Sequence, residues 1–171
     1  MRDALRCLLL WVCGLALQAH ALTVQGDASQ KMEILQAPQR IVSLLPSLTE
    51  TVCALGACKQ LVGLDRYSNW PESLKALPRV GGGLDPNIES IVALKPDLIL
   101  AAGSTRGVER LEALGLKVLR LEPRTHADVQ RVLRTVAQAL FMPEADSDRV
   151  WRDIQAGVQA AVQSLSPQAR Q

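Results

Sequence analysis

Residues 87–101 read Asn87-Ile88-Glu89-Ser90-Ile91-Val92-Ala93-Leu94-Lys95-Pro96-Asp97-Leu98-Ile99-Leu100-Ala101. Two hydrophobic patterns meet in this stretch. Ile88, Ile91, Val92 and Leu94 recur at the spacing of one helix face, and Asn87 stands where a side chain caps a first turn. Lys95-Pro96-Asp97 ends the helix, because a proline ring disfavours the helical conformation in the residue before it. Leu98 to Ala101 is then a continuous apolar run. A strand apolar at every position is buried on both faces, which predicts a parallel sheet covered by helices.

The same alternation extends in both directions. Upstream, Ile41-Val42-Ser43-Leu44-Leu45 lies between Pro38 and Pro46 and predicts another buried strand. A helix follows, with Ser47 as N-cap, Glu50 completing a capping box, and Leu48, Val52 and Leu55 on its apolar face. Leu61–Leu64 is a second strand. Downstream, Val108, Leu111 and Leu114 mark a helix ending at Gly115, Lys117–Leu121 a strand, and Val129, Val132, Leu133, Val136 and Leu140 a further helix. Near the start, Leu22–Gln25 and Met32–Leu35 flank a polar turn and predict a small hairpin. After Pro143 the pattern becomes one long amphipathic helix through Val150, Ile154, Val158, Ala161, Val162 and Leu165. The predicted fold class is α/β: a Rossmann-like parallel sheet lobe flanked by helices, then a long helix.

The first twenty-one residues have the form of a signal peptide. Arg2 and Arg6 precede the apolar run Leu8–Leu17, and Ala19-His20-Ala21 is an A-x-A cleavage pattern. The run is shorter than the about 20 residues that span a bilayer. The predicted organisation is therefore 1–21 signal peptide, 22–141 α/β ligand-binding lobe, 142–166 long helix and 167–171 tail, located in the periplasm. Cleavage removes Cys7 and Cys13 and leaves Cys53 and Cys58 in a compartment where disulfides persist. Gly56 between them can end a helix and fold the chain back. A local disulfide is the favoured reading; two free thiols or a metal site are the alternatives, the latter weakened by the distance in sequence to His126.

Composition narrows the function. Apolar residues make up 48% of the 171, aromatic residues only 3%, and the formal charge is +2, so Leu, Val, Ile and Ala build the core and no basic surface for nucleic acid exists. In an open α/β sheet, ligands bind at the carboxyl ends of the strands. The loops there are Pro46–Thr49, Asp65–Trp70, Gly81–Asp85 and Gly103–Arg106. Tyr67 and Trp70 supply aromatic faces suited to a flat apolar ligand. Gly81-Gly82-Gly83 allows close backbone approach but is no dinucleotide fingerprint. Ser43 and Ser47 have no nearby base, and His126 reads as a polar residue early in its helix. Without a nucleophile, base or metal cluster, an enzyme has nothing to rest on.

Pro38–Leu44, Thr49-Glu50, Leu55-Gly56-Ala57, Leu61-Val62-Gly63, Tyr67–Pro71 and above all Ile88–Leu98 together resemble the periplasmic iron-chelate/vitamin B12 substrate-binding proteins, two-lobed receptors that feed ABC importers. The resemblance covers about residues 38–165. It implies capture of a corrinoid such as cobalamin, with haem or a ferric siderophore as the alternative, and no cofactor of the protein's own. Tyr67 and Ser68 match the loop that packs on the corrin, and Trp70, Ser47 and Gly83, taken from the exit loops, complete the candidate ligand set. Glu89 matches the glutamate that docks on the ABC permease in the inner membrane. Where this chain has Gly83, the B12 receptors carry a Trp, which leaves the other chelates open. The family's second lobe is expected to be absent. A periplasmic enzyme or metal-handling factor on a similar lobe is the out-of-class alternative.

Overall fold

Four parallel strands form the central sheet of the computed structural model, which describes residues 21–165. They are β3 (Ile41–Ser43), β4 (Leu61–Leu64), β5 (Leu98–Ala101) and β6 (Val118–Arg120), in the spatial order β4-β3-β5-β6. Residues 1–20 of the predicted signal peptide and the tail 167–171 lie outside the described residues. The α-helices among the described residues are α1 (Pro46–Ala54), α2 (Ile88–Ala93), α3 (Val108–Ala113), α4 (His126–Ala139) and α5 (Glu144–Ser164).

Alternate strand residues feed opposite layers. Ile41, Leu98, Leu100 and Leu119 pack with Leu48 and Val52 of α1, Val132, Leu133 and Val136 of α4, and Val150 of α5. Val42, Ile99, Ala101 and Val118 pack with Ile88 and Ile91 of α2 and Val108 and Leu111 of α3. Both faces of the sheet are thus buried, as continuous apolar strands require. In β5 every residue is buried.

The helix ends show which local signals prevail. Asn87 caps α2, its side chain accepting from the Ser90 N–H at 2.8 Å. Thr125 and Asp128 form a capping box at the start of α4. The Thr125 hydroxyl, the backbone N–H groups of Arg124 and Thr125, and Arg131 all bond the Asp128 carboxylate and lower its pKa to about 2. The expectation for α1 is corrected: its N-cap is Leu45, with no side-chain cap, and the helix begins at Pro46. A proline at the first helical position has its φ already set and no N–H to satisfy, so the ring defines the start and Ser47 falls inside the first turn.

An N-terminal hairpin, β1 (Leu22–Gln25) and β2 (Lys31–Ile34), lies beside β6. Its turn covers that sheet edge. The Gln30 amide donates to Val118 O at 2.7 Å and accepts from Arg120 N at 3.0 Å, while Asp27 N donates to Arg120 O at 2.8 Å. Helix α5 packs along α4, where the Trp151 and His126 rings meet at 4.8 Å. Val150 is buried, whereas Val158 and Val162 further along the same face are 48% and 49% exposed among the described residues. None of the described helices is long and apolar enough to cross a membrane.

Candidate ligand-binding cleft

The loop after β4 is held by a buried carboxylate. Asp65 is 1% exposed. Its Oδ1 accepts the Tyr67 N–H at 2.7 Å and its Oδ2 accepts the Ser68 hydroxyl, a turn that an Asp favours through bonds to the backbone just ahead of it. The Ser68 and Thr49 hydroxyls lie 2.8 Å apart, and Thr49 donates to the Ser43 hydroxyl at 2.9 Å. The network ties the loop to β3 and α1. One residue before the buried Ser68, the Tyr67 ring stands 66% exposed.

The glycine loop lines the cleft beside Tyr67. Gly81 accepts from Arg66 N at 2.6 Å and Gly83 accepts from Arg106 N at 2.8 Å, so the loop is pinned at both ends. A Cβ on Gly82 would lie 3.4 Å from the Tyr67 ring, so backbone passes close beside the aromatic edge. Arg66 pairs with Asp85, and its guanidinium lies 6.0 Å from the Tyr67 ring centre. Leu45, Leu84, Ala102, Ser104 and Thr105 complete a cleft of about 400 Å³ at the carboxyl end of the sheet. The cleft combines one flat aromatic face, aliphatic walls and a few polar groups, the composition of a small-molecule site. Among the described residues no group of three His, Cys, Asp or Glu side chains is placed to hold a metal ion.

Not all of the candidate ligand residues meet here. Tyr67 and Gly83 line the cleft. Ser68 is adjacent but buried, its hydroxyl engaged by Asp65 and Thr49, so it reaches the cleft only through the loop it anchors. Ser47 and Trp70 line a different concavity, a groove of about 550 Å³ between α1, α4 and α5 that also includes Val129, Leu133 and Ile154. Trp70 is 65% exposed there rather than packed under its loop. The start of α1 separates the two, because Pro46 turns the chain into helix immediately after Leu45. Cys53 and Cys58 have their Cα atoms 4.3 Å apart and their sulfurs within bonding distance, with Gly56 between them at φ +87°. Glu89, in the first turn of α2, is exposed and lies 3.5 Å from Arg110 of α3. Sequence reasoning missed Asp65, Arg66 and Thr105. The Asp-x-Tyr-Ser order directly after a strand carries the signal for the first; the others declare themselves only in three dimensions.

The sequence profile described as "Periplasmic binding protein" matches residues 41–171. The chain belongs to the periplasmic binding protein family. A vitamin B12-binding protein of Yersinia pestis (strain Pestoides F) is 44% identical over 96 residues, 54% of this chain and 34% of that one. Two solved structures share the fold. The periplasmic heme-binding protein RhuT from Roseiflexus sp. RS-1 aligns with TM-score 0.66 at 30% identity, covering 73% of this chain and 49% of that one. The vitamin B12-binding protein BtuF of Vibrio cholerae aligns with TM-score 0.63 at 28% identity, covering 76% and 53%. This family member therefore spans about a third of the curated relative's length and about half of each structure. All three are named as binding proteins and none as an enzyme.

Proposed function

We propose that this chain is the first lobe of a periplasmic receptor that captures a corrinoid such as cobalamin in the Tyr67 cleft and presents it to an ABC permease of the inner membrane. The observation that carries the reading is the Tyr67 ring, exposed at the carboxyl end of the sheet on a loop fixed by Asp65, Ser68 and Thr49. A tyrosine on an anchored loop, with few rotatable bonds of its own, loses little freedom when a flat ring system covers it. The curated relative named for vitamin B12 favours the corrinoid. Haem or a ferric siderophore is the second reading, favoured by Gly83, which places no aromatic on the cleft wall beside Tyr67, and by the heme-binding protein of the same fold. Export to the periplasm rests on the Arg2–Ala21 signal pattern.

Titration of the purified chain with cyanocobalamin, hemin and a ferric siderophore, followed by tryptophan fluorescence, tests the reading. Saturable binding of one of them, weakened in Tyr67→Ala, is expected. No response to any, or an affinity indifferent to Tyr67→Ala, removes the cleft as the site. The exposed Glu89 is the proposed contact to the permease, its neighbour Arg110 exchanging it for a cation on the partner. Glu89→Ala is then expected to lower uptake in cells and leave ligand affinity unchanged. The proximity of Cys53 and Cys58 supports a disulfide that closes the end of α1.

A further inference from the structure

Thr105 lies in the exit loop of β5, is 5% exposed, and its Oγ1 is buried without a hydrogen-bond partner. Its backbone N–H is satisfied by Ala102 O at 3.1 Å, so the hydroxyl alone is left unpaired. A buried polar group in that state is destabilising and calls for a reason. The surroundings supply one. Thr105 and Gly83 both line the cleft, and a Cβ built on Gly83 would lie 3.6 Å from Thr105 Oγ1 and meet nothing else within 4 Å beyond its own chain neighbours, so the side-chain-free Gly83 is what stands beside the hydroxyl. The bond from Arg106 N to Gly83 O keeps the two loops in register. Of the other polar side chains around the cleft, Ser104 donates to Glu122 at 3.3 Å, Arg66 is paired with Asp85, and Tyr67 is exposed to solvent, so Thr105 carries the buried unpaired group.

We infer that Thr105 is a ligand-binding residue whose hydroxyl donates to the carbonyl oxygen of a carboxamide arm at the edge of a planar macrocycle, while Tyr67 covers the ring face. This rests on the cleft being the ligand site. The neutral amide follows from charge. Among the residues that line the cleft Arg66 is the one cation, and it is paired with Asp85, so the lining itself offers a carboxylate arm beside Thr105 no free counter-ion. A hydroxyl and an amide pair without one. Gly83 supplies the room: a larger residue there would fill the space through which the arm reaches Oγ1.

The test compares the chain with Thr105→Val, Thr105→Ser and Tyr67→Ala, by urea unfolding without ligand and by titration with cyanocobalamin and hemin. Valine replaces the unpaired hydroxyl with a methyl group of the same shape. Thr105→Val is therefore expected to raise the urea midpoint of the free chain, while weakening cyanocobalamin about five- to tenfold. Thr105→Ser is expected to restore the affinity. A lower midpoint for Thr105→Val would mean that the hydroxyl has a structural partner, and would overturn the inference. So would an unchanged cyanocobalamin affinity in Thr105→Val when Tyr67→Ala weakens it, a result that leaves the cleft reading standing. Binding of hemin but not cyanocobalamin overturns the carboxamide assignment alone. No binding of either probe, or indifference to both Tyr67 and Thr105, removes the cleft reading and this inference with it.

Discussion

Replacing Gly81 by Ala is expected to destabilise the fold around the Tyr67 cleft, whereas the same change two residues later at Gly83 is expected to cost no stability. Gly81 has φ +94°, and a Cβ there would lie 2.4 Å from Asp85 O and 3.0 Å from both Asn87 N and Pro86 Cα. All three are backbone atoms. They cannot swing aside, because Asn87 N is bonded to Val80 O at 2.8 Å and Gly81 O to Arg66 N at 2.6 Å. A left-handed conformation costs an L-residue about 1–2 kcal/mol, and relieving the overlap adds about 1–3 kcal/mol more. At Gly83 only Thr105 Oγ1 lies within 4 Å of the added atom, at 3.6 Å. Alanine there restricts the unfolded chain and stabilises by about 0.4–1 kcal/mol. The two variants should therefore differ by about 2.4 kcal/mol or more. With a urea slope of about 1–3 kcal/mol per molar, their midpoints in far-UV circular dichroism separate by about 1 M or more. Coincident midpoints would refute the claim that backbone overlap at Gly81 shapes this turn.

Three further predictions concern the elements around the cleft. Asp65→Ala leaves the Tyr67 N–H and Ser68 hydroxyl without their acceptor and is expected to lower stability by about 2–3 kcal/mol, Asp65→Asn by less; equal urea midpoints for Asp65→Ala and the unsubstituted chain would remove the network as the anchor of the loop. Asp128 has its pKa lowered from about 3.9 in an unfolded chain to about 2 in the folded one, so its contribution is present above about pH 4 and lost as pH falls toward 2. The stability gap between the unsubstituted chain and Asp128→Asn should narrow across that interval, and a gap independent of pH there would count against the capping box. Non-reducing peptide mapping should recover the Cys53 and Cys58 fragments linked; alkylation of both before reduction would show two thiols instead.

Much of the fold is legible in order along the chain. The apolar run Leu98–Ala101 announces a strand buried on both faces, and Asn87 and Gly115 mark helix ends by conformational preferences that act within a few residues. Those signals are local and survive any arrangement of the rest. Where two local signals compete at one point, the ranking is less legible: Pro46 overrides Ser47 because a fixed φ acts before any side-chain bond forms.

The site divides along the same line. Read alone, the residues give the α/β alternation, place Tyr67 on the exit loop of a strand, and mark Gly81–Gly83 as a segment where backbone can approach a ligand closely. Only the tertiary structure decided which of these residues share a cleft. It separated Ser47 and Trp70 from Tyr67, turned the Ser68 hydroxyl inward to Asp65 and Thr49, and set Thr105 beside Gly83 with its hydroxyl unpaired. The reason is that a side chain's surroundings are set by the segments that follow β3, β4 and β5 together with the Gly81–Asp85 loop. Their relative placement follows from sheet order and helix packing, which no neighbouring residue in the chain encodes.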